Sequence, residues 1–257
     1  IRAGDDLDAR MSPNGALRAL QRAKDEGLTR HIGCTSHQSA SLITALERFP
    51  FEVILVPMNI VEREPLERLI PLCQELGVGV TTMKPLGTGI IPPRIALRWL
   101  VNQPIATAVP GAISVAEVEE NVVAGAGDLS LSEQEQREVE AIRRRLDKVR
   151  CRICQRCEPC PKGISIGMTL GTDMIWDHWR NMGVDAFRAM NWGRLAMEID
   201  LPRRQRLVAT VEECDGCGLC ERRCPYGLQV ISRLREMLPG HREIIALWQE
   251  RLDVSAR

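Results

Sequence analysis

No stretch of the 257 residues approaches the ~18 consecutive apolar residues that a membrane-spanning helix requires, so no membrane span is expected. Charge of a dominant sign is lacking too. The 34 Lys and Arg residues are matched by 34 Asp and Glu, giving a formal net charge of zero. That balance argues against a nucleic-acid or membrane-surface partner, since both select basic patches. No secretory signal peptide is recognisable, and a reducing, cytoplasmic setting is expected. The first residue is Ile1 rather than Met, and residues 1–10 read as mid-domain loop. The chain is therefore expected to begin inside a longer reading frame and to be a fragment.

Cysteine is plentiful and ordered. Cys214, Cys217, Cys220 and Cys224 form a C-x2-C-x2-C-x3-C-P run, the spacing of bacterial iron–sulfur loops. Gly216 and Gly218 lack Cβ, which lets the loop take positive φ and bring N–H groups toward the sulfurs. A second run, Cys151, Cys154, Cys157 and Cys160, precedes it. The tails match as well: Cys160-Pro-Lys-Gly-Ile-Ser-Ile against Cys224-Pro-Tyr-Gly-Leu-Gln-Val. This is an internal repeat of a binding loop holding eight of the ten cysteines. Disulfides would need an oxidising compartment. A tetrahedral zinc site would leave a third and fourth Cys surplus in each run. Free structural thiols would not be spaced so regularly. Two [4Fe–4S] clusters are the favoured reading. Crossing of the last Cys, as in two-cluster ferredoxins, would pair Cys151, Cys154 and Cys157 with Cys224, and Cys214, Cys217 and Cys220 with Cys160. The first run has two rather than three residues before its last Cys, so the crossing stays open; eight ligands fit two clusters either way.

From residue 14 to about 145, helical and apolar strand patterns alternate. Helices are expected over 14–26, 39–48, 64–76, 93–102, 115–124 and 132–148. Strands are expected over 31–36, 51–58, 78–83 and 105–109, with the turn Lys84-Pro85-Leu86-Gly87-Thr88-Gly89 after the third. Continuous apolar strands between helices predict a parallel sheet of βα units. Four units plus a leading helix are about half of a (β/α)8 barrel, which spends ~250 residues on eight. Such a half exposes two sheet edges and one sheet face. The missing half is expected upstream of Ile1, the alternative being that two chains complete each other.

Residues 27–37 (Gly-Leu-Thr-Arg-His-Ile-Gly-Cys-Thr-Ser-His), Met83-Lys-Pro-Leu-Gly-Thr-Gly89, Ala96-Leu-Arg-Trp-Leu100 and Val109-Pro-Gly with Val118-Glu-Glu-Asn121 resemble the second half of an aldo/keto reductase. The two cysteine runs resemble the ferredoxin-type extension of one subgroup of that family. The resemblance implies an α/β chain. Residues 1–148 would be the last four βα units of a TIM barrel, and residues 149–257 a mostly helical 4Fe-4S domain. It implies a nicotinamide cofactor at the carboxyl end of the strands and an Asp, Tyr, Lys and His tetrad from the first four strands. Those strands are absent, and the only tyrosine, Tyr226, lies in a cysteine loop, so no catalytic residue is assigned. His37 and Lys84 end strands at the expected barrel face without occupying tetrad positions.

Cofactor positions carry over better. Thr35 and Ser36 match residues holding the carboxamide. Lys84, Pro85, Leu86 and Gly87 match the wall beside nicotinamide and pyrophosphate. Ser114 and Asn121 match the adenosine end, where a helix N-terminus favours an anion. Two departures stand out. A frequent strand-six Gln falls on Leu55, and the usual Arg for the 2′-phosphate falls on Glu117. A carboxylate there repels a phosphate, so NADH is favoured over NADPH. His31 and Trp99 read as packing residues, and Cys34 and Cys73 as small buried apolar ones.

Between the runs, Trp176, Trp179, Phe187, Met190, Trp192, Leu195 and Met197 suggest two or three amphipathic helices covering the clusters. Pro202 is expected to end that segment. A last helix or two should follow around Pro239-Gly240. Arg150, Arg152, Arg156, Arg222 and Arg223 would screen the clusters, raise their potential or dock an acidic carrier, unless they form only a solvated basic face. The expected function is nicotinamide-linked carbonyl or alcohol redox chemistry in the complete protein. The implied partners are a small-molecule carbonyl substrate and a ferredoxin or flavodoxin. The alternative is an iron–sulfur electron carrier or scaffold with a non-catalytic half-barrel.

Overall fold

The computed structural model describes residues 6–112, 114–171 and 191–255. The chain divides into two compact units, Ile1–Leu146 and Asp147–Arg257.

In the first unit, α1 (Leu7–Met11) and α2 (Ala16–Asp25) precede β1 (Gly33–Thr35), α3 (Ser39–Arg48), β2 (Val53–Pro57), α4 (Leu69–Leu76), β3 (Gly79–Met83), α5 (Pro93–Val101), β4 (Thr107–Val109), α6 (Val115–Ala124) and α7 (Glu133–Asp147). The helices form where the sequence puts apolar residues three and four apart. Leu42, Ala45 and Leu46 of α3 are buried, as are Leu69, Ile70 and Cys73 of α4. Gly77, at φ 68°, closes α4 with its N–H on the Cys73 carbonyl, the left-handed end that glycine adopts without penalty. At the start of α7, Ser132 and Glu135 cap each other: Ser132 N–H donates to Glu135 Oε2 (2.9 Å) and Glu135 N–H to Ser132 Oγ (3.3 Å).

The four strands are parallel and lie in sequence order, β1-β2-β3-β4. Thr35 pairs with Leu55, Pro57 with Met83, and Met83 with Val109, so the carboxyl ends of the strands share one edge. Sequential right-handed crossovers put the connecting helices on one face of such a sheet. The alternation agrees. Cys34, Ile54, Val56, Val80 and Thr82 are buried, while Val53, Leu55, Pro57, Thr81 and Met83 on the other face are only half-buried. Exposed valines also gather on β4 and α6, at Val109, Val115, Val118, Val122 and Val123. The expected four βα units and leading helix are present. Trp99 is buried, with the Arg63 guanidinium 4.8 Å above its ring. Cys34 and Cys73 are buried, and burial pushes the Cys73 thiol up to about 11.

Three expectations need correction. Residues 7–11 form helix α1, not loop, because Leu7 has a core to enter. The pattern over 64–76 splits into a 3-10 turn, Glu64–Leu66, and α4. His31 is not a packing residue: its side chain is 65% exposed, and its Nδ1 lies 2.8 Å from Glu52 Oε1.

The second unit holds helices α8 (Ile166–Leu170), α9 (Asn191–Glu212), α10 (Leu219–Arg223) and α11 (Val230–Ser255). Pro202 lies inside α9 and does not end it as expected, while Pro239 lies inside α11, which runs on as one helix. An interior proline costs ~3 kcal/mol. Burial of Leu201, Val208, Leu234, Ile244 and Trp248 offsets this, each fully buried side chain being worth ~1.5–3 kcal/mol. The expectations for Trp176, Trp179, Phe187 and Met190, and for the side chains of Trp192, Leu195 and Met197, lie outside the described residues.

Arg204 of α9 and His241 of α11 are both buried, with Arg204 Nη1 donating to His241 Nδ1 at 2.9 Å. Burial and then the Arg204 cation hold His241 down to about 4 from its ordinary 6.5. The folded form therefore resists protonation that the unfolded chain accepts. This contribution to stability is complete above pH 6.5 and is lost as pH falls toward 4, by ~3 kcal/mol at most. Urea midpoints read by circular dichroism at pH 7.5 and 4.5 should fall with acid, and His241→Gln should flatten that fall.

Candidate functional site

The two cysteine runs make closely related loops. Gly216 and Gly218 both take φ 73°; at the equivalent places in the first run, Ile153 takes φ 53° and Gln155 φ 59°. The fold thus demands left-handed backbone at those two points of each loop, even where a β-branched residue must supply it. The Ile153 N–H donates to Cys151 Sγ at 3.4 Å.

Each run is followed by a helix whose N-terminus it caps. Glu158, next to Cys157, accepts the N–H of Gly167 (2.8 Å), the second residue of α8. Glu221, next to Cys220, accepts the N–H of Ile231 (3.0 Å), the second residue of α11. The recurring Cys-Glu pair is the sequence signal for this device. Glu221→Ala should cost ~1 kcal/mol of stability in this unit, measurable as a lowered urea midpoint.

The loops fold over a shared apolar floor of Ile164, Ile166, Leu170, Val211, Leu228, Val230 and Leu234. Two cavities result. One is lined by Cys151, Cys154, Cys157 and Cys224. The other is lined by Cys160, Cys214, Cys217 and Cys220. Cys157 also reaches the wall of the second. The fourth cysteine of each run therefore lies with the other run. Arg223 helps hold this arrangement by donating to the Pro159 carbonyl (2.9 Å). Among the described residues, no three His, Cys, Asp or Glu side chains converge closely enough to share a single metal ion. The thiols ring a volume rather than a point, as a polynuclear cluster requires and a tetrahedral zinc does not. Burial pushes the thiol of Cys151 up to about 11 and that of Cys157 up to about 12. Bare thiols of this kind are protonated at neutral pH, so loading of the site releases protons.

The arginines expected around the loops divide by role. Arg152 stacks 3.8 Å above the Tyr226 ring, pairs with Asp147 and keeps only 7% of its side chain exposed. Arg222 donates to the Cys217 carbonyl at 3.2 Å. Arg156, Arg222 and Arg223 are exposed, and Arg150 is half-buried.

In the first unit, Thr35 and Ser36 leave β1, and Lys84 to Gly87 leave β3, at the same sheet edge. Thr35 Oγ1 donates to the Leu55 carbonyl (3.0 Å), and Ser36 Oγ accepts the Gln38 N–H (3.1 Å). Lys84 has φ 55° and Gly87 φ 56°, and the Gly87 N–H donates to the Lys84 carbonyl at 2.9 Å. Pro85 and Gly87 are buried, and Leu86 is half-buried. Ser114 is the N-cap of α6, accepting the Glu117 N–H at 3.2 Å. Asn121 lies two turns on, with its Oδ1 buried. The organiser of this edge is Asn59, which is fully buried. Its Nδ2 donates to Glu62 Oε2 (2.6 Å) and to the Lys84 carbonyl (3.1 Å), and its Oδ1 accepts from the N–H groups of Val61 and Glu62 (2.9 and 3.0 Å).

Comparison with known proteins agrees with both halves. Residues 6–94 match the aldo/keto reductase family, and residues 150–231 match the 4Fe-4S dicluster domain. An uncharacterized oxidoreductase of Schizosaccharomyces pombe is 25% identical over 142 residues, 48% of this chain and 46% of the relative. A probable aldo-keto reductase of Glycine max is 29% identical over 70 residues, 27% of this chain and 20% of the relative. The chain thus spans less than half the length of these relatives. Among solved structures, the apo form of an aldo-keto reductase from Bacillus halodurans is 22% identical with a TM-score of 0.46, covering 55% of this chain and 59% of that one. An aldo/keto reductase from Klebsiella pneumoniae, in complex with NADP and acetate, is 20% identical with a TM-score of 0.45, covering 55% of this chain and 56% of that one. In sequence order, the chain carries a segment matching the aldo/keto reductase family over residues 6–94 and one matching the 4Fe-4S dicluster domain over residues 150–231.

Proposed function

We propose that the second unit binds two [4Fe–4S] clusters and moves single electrons, and that the complete protein is a nicotinamide-linked carbonyl reductase whose electrons this unit exchanges with a ferredoxin or flavodoxin. The observation that carries the reading is that all eight thiols of the two runs line two cavities, each walled by at least four of them, with only Cys157 reaching both. When bound, the clusters supply one-electron storage. This chain's residues supply the ligands, the loop backbone and the surrounding charge. The reductase reading takes the remaining barrel units from outside these 257 residues. It is supported by the half-buried sheet face at Val53, Leu55, Pro57 and Met83 and the exposed valines of α6.

At the strand ends, Thr35, Ser36, Lys84 to Gly87, Ser114 and Asn121 would hold the dinucleotide. Glu117 stands at the third position of α6, at the adenosine end, and a carboxylate there favours NADH over NADPH. Tighter binding of NADPH in a fluorescence titration would overturn that preference. A hydride carries two electrons and a cluster takes one, and the sequence has no flavin motif to divide the pair. NADH alone should therefore fail to bleach the cluster absorbance in an anaerobic stopped-flow cell, while reduced ferredoxin should succeed. Rapid bleaching by NADH would remove the need for an outside carrier. The second reading, an electron carrier or scaffold with a non-catalytic half-barrel, draws on Tyr226: the only tyrosine sits beneath Arg152 at a cysteine cavity and is not available as a proton donor. The setting proposed is a reducing compartment such as the cytoplasm. No helix among the described residues is long and apolar enough to cross a membrane.

A further inference from the structure

The two cysteine cavities differ in their charge environment. The cavity of Cys151, Cys154, Cys157 and Cys224 has Arg152 in its wall. Its side chain is 7% exposed, and its guanidinium lies 3.8 Å over the ring of Tyr226, another wall residue. Its partner Asp147 is 45% exposed and outside the wall, so water screens it more than the arginine. Arg150 lies beside Cys151 on the same side. The nearby carboxylate, Glu158, is bound to the Gly167 N–H.

The cavity of Cys160, Cys214, Cys217 and Cys220 is open by comparison. Cys217 is exposed, whereas the other seven cysteines of the runs are half-buried. Its charged wall residues are Lys162 and Asp215, 3.7 Å apart and 45% and 53% exposed, a pair that largely cancels. Asp215 Oδ1 accepts the Cys217 N–H at 3.1 Å, which fixes the carboxylate against the ligand loop. Arg222, on the Cys217 carbonyl, is exposed and screened.

Reduction adds one electron, and so one negative charge, to a cluster. A desolvated cation stabilises that charge far more than an exposed one does, and a fixed carboxylate opposes it. We infer that Arg152 makes the cavity of Cys151, Cys154, Cys157 and Cys224 the higher-potential site, where the electron rests. The cavity of Cys217 and Asp215 is then the lower-potential port through which a one-electron reductant delivers it. Arg152 acts through its field and is a positioning and tuning residue, not a catalytic one. The inference rests on the two-cluster reading proposed above.

The test is an anaerobic redox titration of the full chain with dithionite and mediators, followed by electron paramagnetic resonance, with iron and sulfide counted in every sample. Two resolved midpoints are expected. Arg152→Gln should lower the higher midpoint and leave the lower one in place, and Arg152→Lys should keep most of the original value. Asp215→Asn should raise only the lower midpoint. Coincident midpoints in the unaltered protein would overturn the inference, as would Arg152→Gln moving the lower midpoint, both or neither. If Arg152→Gln loads poorly, Asp215→Asn decides: a shift confined to the lower midpoint supports the assignment, and any other result contradicts it. A count short of two clusters in the unaltered protein overturns the two-cluster reading itself. Full loading with unmoved midpoints overturns this inference alone.

Discussion

Replacing Cys160 and Cys217 together by alanine should leave one intact four-iron cluster, whereas replacing Cys217 and Cys224 together should leave none. The first variant removes one cysteine from each run but both from one cavity, and the second removes both from one run but one from each cavity, so the grouping decides the outcome. Cys160 and Cys217 line the same cavity, so their loss leaves only Cys214 and Cys220 of that group and leaves Cys151, Cys154, Cys157 and Cys224 complete. Cys217 and Cys224 line different cavities, so their loss leaves each with three ligands and neither with four. Iron should fall from about eight to about four per chain in the first variant, with a residual resonance signal of unaltered shape. If each run ligated its own cluster, the two outcomes would exchange.

Asn59→Ala should be the most damaging single change at the strand-end edge. The side chain makes four hydrogen bonds from a fully buried position. Truncation strands the N–H groups of Val61 and Glu62, each costing ~1–3 kcal/mol when buried without a partner, and removes one of the hydrogen bonds to the Lys84 carbonyl, which keeps that of the Gly87 N–H. A total of ~3 kcal/mol is expected after partial rehydration, read as a lowered urea midpoint. The same change removes the tie from Asn59 to the Lys84 carbonyl, and with it one restraint on the left-handed turn proposed to wall the nicotinamide. Dinucleotide affinity should therefore fall in the surviving folded protein. Retention of both stability and affinity would show that Asn59 does not organise this edge.

The parts legible in the sequence were those whose physics is local. Residues 39–48 and 115–124 were bounded as the structure has them, because apolar spacing and the Ser114 cap act within one turn. The cysteine runs were legible because ligand spacing is itself local chemistry. The errors came where tertiary packing decides. Pro202 read as a break, yet buried neighbours along α9 carry the helix through it. Leu7 looked like loop because its core partners lie far along the chain. Asn59 owes its importance to burial and to the Lys84 carbonyl, 25 positions away, neither of which is local. The crossing of Cys160 and Cys224 was open for the same reason: spacing gives the ligand count, and only the folded loops give the grouping.

The most direct measurement is a count of iron, acid-labile sulfide and zinc in the anaerobically purified chain, read beside its Mössbauer spectrum. Two [4Fe–4S] clusters predict about eight iron and about eight sulfide per chain, with the iron in four-iron clusters and no stoichiometric zinc. About two zinc ions per chain with no sulfide, or fully oxidised thiols with neither metal, would contradict the account.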